Sequence, residues 1–182
     1  MIKERLYPPD ALNHNSLLEY DPERKLIYWQ LENFVAEKEF IETAIAGRDF
    51  IVKNYREGKI LNWLNITDKF KGVSDNGAVM DLREILNKPI AQLVEDTGIR
   101  FKVAFLECEN LVGSLAIERY KSFTQYENKD SMKIKSFKSI KEAEEWLIKP
   151  LESKKKPVIK PVSFATKIYN LINGDKLNYG NL

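Results

Sequence analysis

The sequence predicts an α/β domain: a mainly parallel sheet opened by an N-terminal β-hairpin, with helices packed on it, in the order ββαβαβαβα. Three observations carry this. Short apolar runs alternate with longer segments of helical period, the pattern of a parallel sheet with crossover helices. The run Lys59 to Asp68 is nearly uncharged inside and flanked by Gly58 and Gly72, as a buried central strand would be. Ser139-Ile140-Lys141-Glu142 is a capping box that opens a closing helix.

In chain order, residues 1–16 are polar, with Pro8-Pro9 and Asn13-His14-Asn15, and read as a lead-in arm. The domain proper spans 17–150. Leu17 to Tyr20 and Lys25 to Leu31 flank Asp21-Pro22-Glu23-Arg24, a type I turn signal that makes the pair a hairpin. A helix follows, capped by Asn33, with Phe34, Ile41, Ala44, Ile45, Val52 and Tyr55 inward, ended by Gly58. The strand 59–67 leads into a polar loop, Phe70 to Gly77. Ala78 to Thr97 reads as helix with a kink or break near Pro89, since proline has no amide to donate and crowds the preceding turn. Phe101 to Glu107 is a second buried strand. Leu111 to Phe123 is helical with Val112, Leu115, Ala116, Tyr120 and Phe123 inward. Met132 to Ser136 alternates as a half-exposed edge strand, and the last helix turns Ile140, Ala143, Trp146 and Leu147 inward before Pro150. Residues 151–182 read as a basic linker, Lys154-Lys155-Lys156-Pro157 and Lys160-Pro161, followed by a short amphipathic helix with Phe164, Ile168, Leu171 and Ile172 on one face.

Composition limits the chemistry. The 182 residues are 43% hydrophobic and 31% charged, an ordinary globular balance. The net charge of +2 is uneven: residues 151–182 carry +4, leaving −2 for residues 1–150. Cys108 is the sole cysteine, which excludes an intrachain disulfide and a cysteine-cluster metal site. With no export signal at Met1-Ile2-Lys3-Glu4-Arg5 and no membrane-length apolar run, the expected location is the cytoplasm.

The hairpin ending in Tyr28-Trp29, the long helix, the strand Ile60 to Ile66, the strand Lys102-Val103-Ala104-Phe105-Leu106, and Phe137-Lys138-Ser139 followed by Glu142-Ala143-Glu144-Glu145-Trp146-Leu147 resemble the SpoIIAA-like, or STAS, family. The likeness covers residues 17–148 and is strongest to single-domain bacterial members. It implies a non-enzymatic regulatory or binding domain. In the anti-sigma-factor antagonist branch a phosphorylated serine follows the central strand in an Asp-Ser-(Ser)-Gly signature. Here that region reads Ile66-Thr67-Asp68-Lys69-Phe70-Lys71-Gly72-Val73-Ser74-Asp75-Asn76-Gly77, which lacks the signature and places Ser74 nearest the expected position.

In an open α/β sheet partners are met at the carboxyl ends of the strands. The candidate partner-binding residues are therefore Thr67, Asp68, Lys69, Lys71, Ser74, Asp75 and Asn76, with Ser74 the candidate phosphosite; the bland reading of Ser74 and Thr67 is a cap or turn role. No catalytic set can be assembled. Glu107 and Glu109 flank Cys108 and oppose a reactive thiolate, His14 lies far from it in sequence, and no glycine-rich phosphate loop is present. No metal, cofactor or nucleic acid is expected. The expected function is a cytoplasmic, non-catalytic module that recognises a protein partner. The competing reading is a domain that binds a small apolar molecule or lipid in an aromatic-lined pocket. A second copy of the chain, a homodimer, is a further expected partner through the tail.

Overall fold

A computed structural model describes residues 3–8, 14–56, 62–74, 77–98, 100–127 and 132–150, which belong to one compact unit bounded at Leu151. The helix stop at Gly58, the strand start at 59–61, Phe123's side chain and the tail 151–182 lie outside the described residues or side chains. The fold is α/β. Strands β1 (Glu4–Tyr7), β2 (Ser16–Asp21) and β3 (Leu26–Leu31) run antiparallel. Next come β4 (Asn33–Val35), α1 (Glu37–Arg56), β5 (Asn62–Ile66) and β6 (Phe70–Val73). Helices α2 (Gly77–Leu82) and α3 (Lys88–Thr97) are joined by a π-helical turn, Arg83–Asn87, and β7 (Phe101–Leu106), α4 (Leu111–Glu127), β8 (Met132–Phe137) and α5 (Ile140–Ile148) complete the chain. The main sheet has the order β1-β2-β3-β5-β7-β8, with β3, β5, β7 and β8 parallel.

The hairpin turn is fixed as its aspartate suggested: Asp21 Oδ1 accepts from the Glu23 and Arg24 amides, each at 3.0 Å. The strand read as central is central, since β5 lies between β3 and β7. Strand alternation divides the interior in two. Ile27, Trp29, Trp63, Val103 and Phe105 face the larger core under α1 to α4, while Leu26, Tyr28, Leu64, Ala104 and Leu106 face α5. Coverage of both faces explains the near-continuous apolar strands.

Several expectations are corrected. The arm 1–16 contains β1, an edge strand whose pairing comes from β2 and leaves no mark in four residues of sequence; Ser16, placed in the arm, begins β2. Asn33 does not cap the first helix. It is at φ 53 in β4, and the helix begins at Glu37. Phe34, expected inside, is 59% exposed. The inward stripe of α1 is Phe40, Thr43, Ala44, Gly47, Ile51, Asn54 and Tyr55, so Ile41, Ile45 and Val52 are only half-buried. Thr43, Gly47 and Asn54 hid that stripe from a reading based on apolar spacing. Gly47 is there because the Trp63 ring presses on it: a Cβ would lie 2.5 Å from Trp63 Cη2. The polar loop 70–77 contains β6, which pairs in parallel with β4, a contact between segments far apart in sequence. The element order therefore exceeds ββαβαβαβα by three short strands.

The break near Pro89 takes a specific form. The Lys88 amide donates to Arg83 O, a five-residue reach that widens the helix just before the proline and starts a fresh helix there. Tyr120 OH donates to Asn87 Oδ1 and Asn87 Nδ2 to Thr124 Oγ1, each at 3.0 Å, tying this turn to α4. On α5 the cap is as read, with Ser139 Oγ accepting from the Glu142 amide, but Ile140 is 42% exposed rather than inward.

Candidate partner-binding face

At the carboxyl ends of β5 and β7 the chain makes a stapled corner. Thr67, fully buried, donates from Oγ1 to Leu106 O at 2.6 Å, and the Phe70 amide returns to Thr67 O at 3.1 Å. Asp68 O accepts from the Glu109 amide at 3.1 Å. Cys108 Sγ donates to Phe70 O at 2.8 Å; burial, with Asp68 and Glu109 nearby, pushes this thiol up from its ordinary pKa, so it resists ionisation. Asn110 caps α4 by accepting from the Val112 and Gly113 amides at 3.0 and 3.2 Å.

This corner sets α4 tightly on β6 through Gly113 and turns the apolar first turn of α4 outward. Leu111 is 73% exposed, Val112 56% and Leu115 62%. The expectation that Val112 and Leu115 face inward is thus overturned; among the described side chains of α4 the buried positions are Gly113, Ile117 and Thr124. Phe34 joins the same patch, because the space beside Gly72 is bordered by the Phe34 ring at 3.5 Å and Val112 Cγ1 at 3.7 Å from the position of an added Cβ. Neighbouring exposed apolar residues make this surface a candidate site of interaction.

The sequence-derived residues distribute around it unevenly. Lys69 and Lys71 are exposed, with Lys69 Nζ 3.7 Å from Glu32 Oε1. Asp68 is half-buried and Thr67 is inside, where it offers a partner nothing. Asp75 and Asn76 lie outside the described residues. Ser74 is exposed and does cap a helix, but it is the preceding one: its Oγ accepts from the Glu37 amide at 3.0 Å, while its amide donates to Val35 O at 2.9 Å. Ser74→Ala is expected to lower stability by about 1 kcal/mol and Ser74→Asp to lower it much less, measured by urea unfolding. Equal losses in both variants would remove the capping role.

Sequence reasoning placed Phe34, Val112 and Leu115 inside, because apolar residues are assigned inward by default, and gave Leu111 no side. One signal was available: Gly113, Ile117, Tyr120 and Thr124 recur at helical spacing and begin with a glycine, the residue that permits closest approach.

The larger core contains a cavity of about 50 Å³ lined by Trp29, Trp63, Phe105, Tyr120 and neighbours. Pockets for small organic ligands run to about 300–1,000 Å³, so this space gives the lipid reading no support. Among the described residues no group of three His, Cys, Asp or Glu is placed to hold a metal ion, and no helix is long and apolar enough to cross a membrane. A scan against protein-family models, a search of curated proteins and a search of solved structures each found no match to this chain.

Proposed function

We propose that this chain is a cytoplasmic, non-catalytic binding module of SpoIIAA-like type that recognises a protein partner at the carboxyl edge of its sheet. The observation that carries the proposal is the exposed apolar patch of Phe34, Leu111, Val112 and Leu115 beside the exposed lysines Lys69 and Lys71. An apolar centre with a charged rim is the ordinary anatomy of a recognition surface. The family reading draws support from the hairpin β2–β3, the long helix after it, and β5, β7 and β8 added in parallel before a closing helix. Strands β1, β4 and β6 are additions to the pattern expected from the resemblance. A phosphate on Ser74 would replace a neutral cap with a dianion next to the acidic first turn, Glu37 and Glu39, and so act on the start of α1.

The test is affinity capture from the native cell with the intact chain and with Val112→Asp, Leu115→Asp and Lys69→Glu/Lys71→Glu variants. Loss of the same captured protein in the two aspartate variants, with unchanged thermal unfolding, is the expected outcome. Full retention by both would overturn the proposal. Phosphopeptide mass spectrometry of the same material reads Ser74 directly.

A further inference from the structure

The opposite edge of the sheet, where the strands begin, holds a cleft of about 470 Å³ lined by Arg24, Lys25, Asn62, Arg100, Lys102, Ile148, Lys149 and Pro150. Five of these carry positive charge, and among the described residues no carboxylate lines it. Arg24 is accounted for, since its Nη1 lies 2.7 Å from Glu144 Oε2 and its Nε 3.8 Å from Asp21 Oδ2. Lys25, Arg100 and Lys149 have no ion pair among the described residues.

Lys102 is the most informative member. Only 3% of it is exposed, and its Nζ donates to Trp146 O and Lys149 O, the carbonyl end of α5. That accounts for two of its three N–H groups and pairs it with no carboxylate. Burial, and after it the nearby cations Lys133 and Lys149, holds its pKa below the ordinary lysine range. Buried charges are normally paired, and like charges gathered around a concavity cost stability until a counter-ion joins them.

We propose that this cleft binds a small molecule bearing phosphate groups. Phosphate supplies several acceptor oxygens for guanidinium and ammonium donors arranged around one space. The volume falls within the range of about 300–1,000 Å³ typical of small-ligand sites. Residues 1–150 carry a net −2, so the positive charge lining the cleft is a local feature and not the net charge of this part of the chain. The side walls are built to last: Asn62 Oδ1 accepts from the Lys102 amide at 2.9 Å and its Nδ2 donates to Leu147 O at 2.8 Å, fixing β5, β7 and α5 around the cleft. This site is separate from the partner face, and neither proposal depends on the other.

Titration calorimetry of the full chain with pyrophosphate, with citrate as a carboxylate probe, tests the assignment. Expected are one saturable pyrophosphate site, weaker citrate binding, and a loss of about tenfold in affinity for Arg100→Gln and for Lys149→Gln, each removing one charged donor. Lys38→Gln, at the exposed start of α1, should bind as the unaltered chain does, and circular dichroism of each variant should be native. Absence of pyrophosphate binding at millimolar concentration would overturn the proposal, as would affinity untouched by both cleft substitutions or citrate binding as tight as pyrophosphate. Retention on anionic vesicles or on RNA, lost in the cleft variants but without pyrophosphate binding, would overturn it in favour of a surface contact.

Discussion

Gly113→Ala is expected to destabilise the protein by about 3 kcal/mol or more, although alanine is the better helix former. In an exposed helix interior the exchange gains about 1 kcal/mol from backbone propensity alone. Here the new Cβ would lie 2.3 Å from Phe70 O and 2.8 Å from Cys108 Sγ. The first neighbour is main chain of β6 and cannot rotate away, so α4 must back off from the strand and loosen the Cys108–Phe70 contact. Overpacking of this kind costs about 1–3 kcal/mol and more where backbone has to move. Gly47→Ala should cost less, since its clash is with the Trp63 ring, which can tilt. Gly98→Ala should cost about 1 kcal/mol or a little more, because its φ of 67 strains any side chain while open space surrounds it. Urea unfolding of the three variants checks the ranking. A stabilised Gly113→Ala would show that α4 does not seat on β6 as described, and the outward turn of Leu111, Val112 and Leu115 would lose its cause.

Alkaline pH should reveal the second large effect. The Tyr120 ring is only partly buried, but the hydroxyl that ionises sits against fully buried Asn87, and burial pushes its pKa from 10.0 up to about 12. Below pH 10 the folded and unfolded chains both keep the phenol proton, and the stabilisation is intact. As pH rises from 10 toward 12 the unfolded chain releases the proton first, so stability falls. A two-unit shift corresponds to a loss of about 2–3 kcal/mol. Tyr28 acts in the same direction, raised by burial and by its hydrogen bond to Glu144, so the steepness is shared. Tyr120→Phe should lower stability at neutral pH by about 1–3 kcal/mol, because Asn87 Oδ1 loses its donor, and should also flatten the alkaline slope. An unchanged slope would place the Tyr120 hydroxyl in solvent.

Much of the framework was legible from local chemistry. The hairpin turn follows from Asp21, whose carboxylate binds the next two free amides. The central position of β5 follows from a strand with no polar face to spare. The kink follows from Pro89, and the start of α5 from Ser139. The candidate partner face was read only in outline. Topology pointed to exposed Lys69, Lys71 and Ser74, while Thr67 was placed on the surface and Phe34, Val112 and Leu115 were placed inside. The reason is that apolar spacing identifies an amphipathic stripe only when the stripe itself is apolar. On α1 and α4 the buried stripe is built partly from Gly47, Thr43, Asn54, Gly113 and Thr124.

The sequence by itself determined the class of the fold and the order of its principal elements. Those features depend on contacts within one turn or one strand, where residue type is decisive. Tertiary structure alone decided that β4 and β6 pair, that Phe34 and Val112 meet over Gly72, and that cations from the hairpin turn, β7 and the end of α5 enclose one cleft. Each of these joins residues tens of positions apart, and no local propensity encodes such a distance.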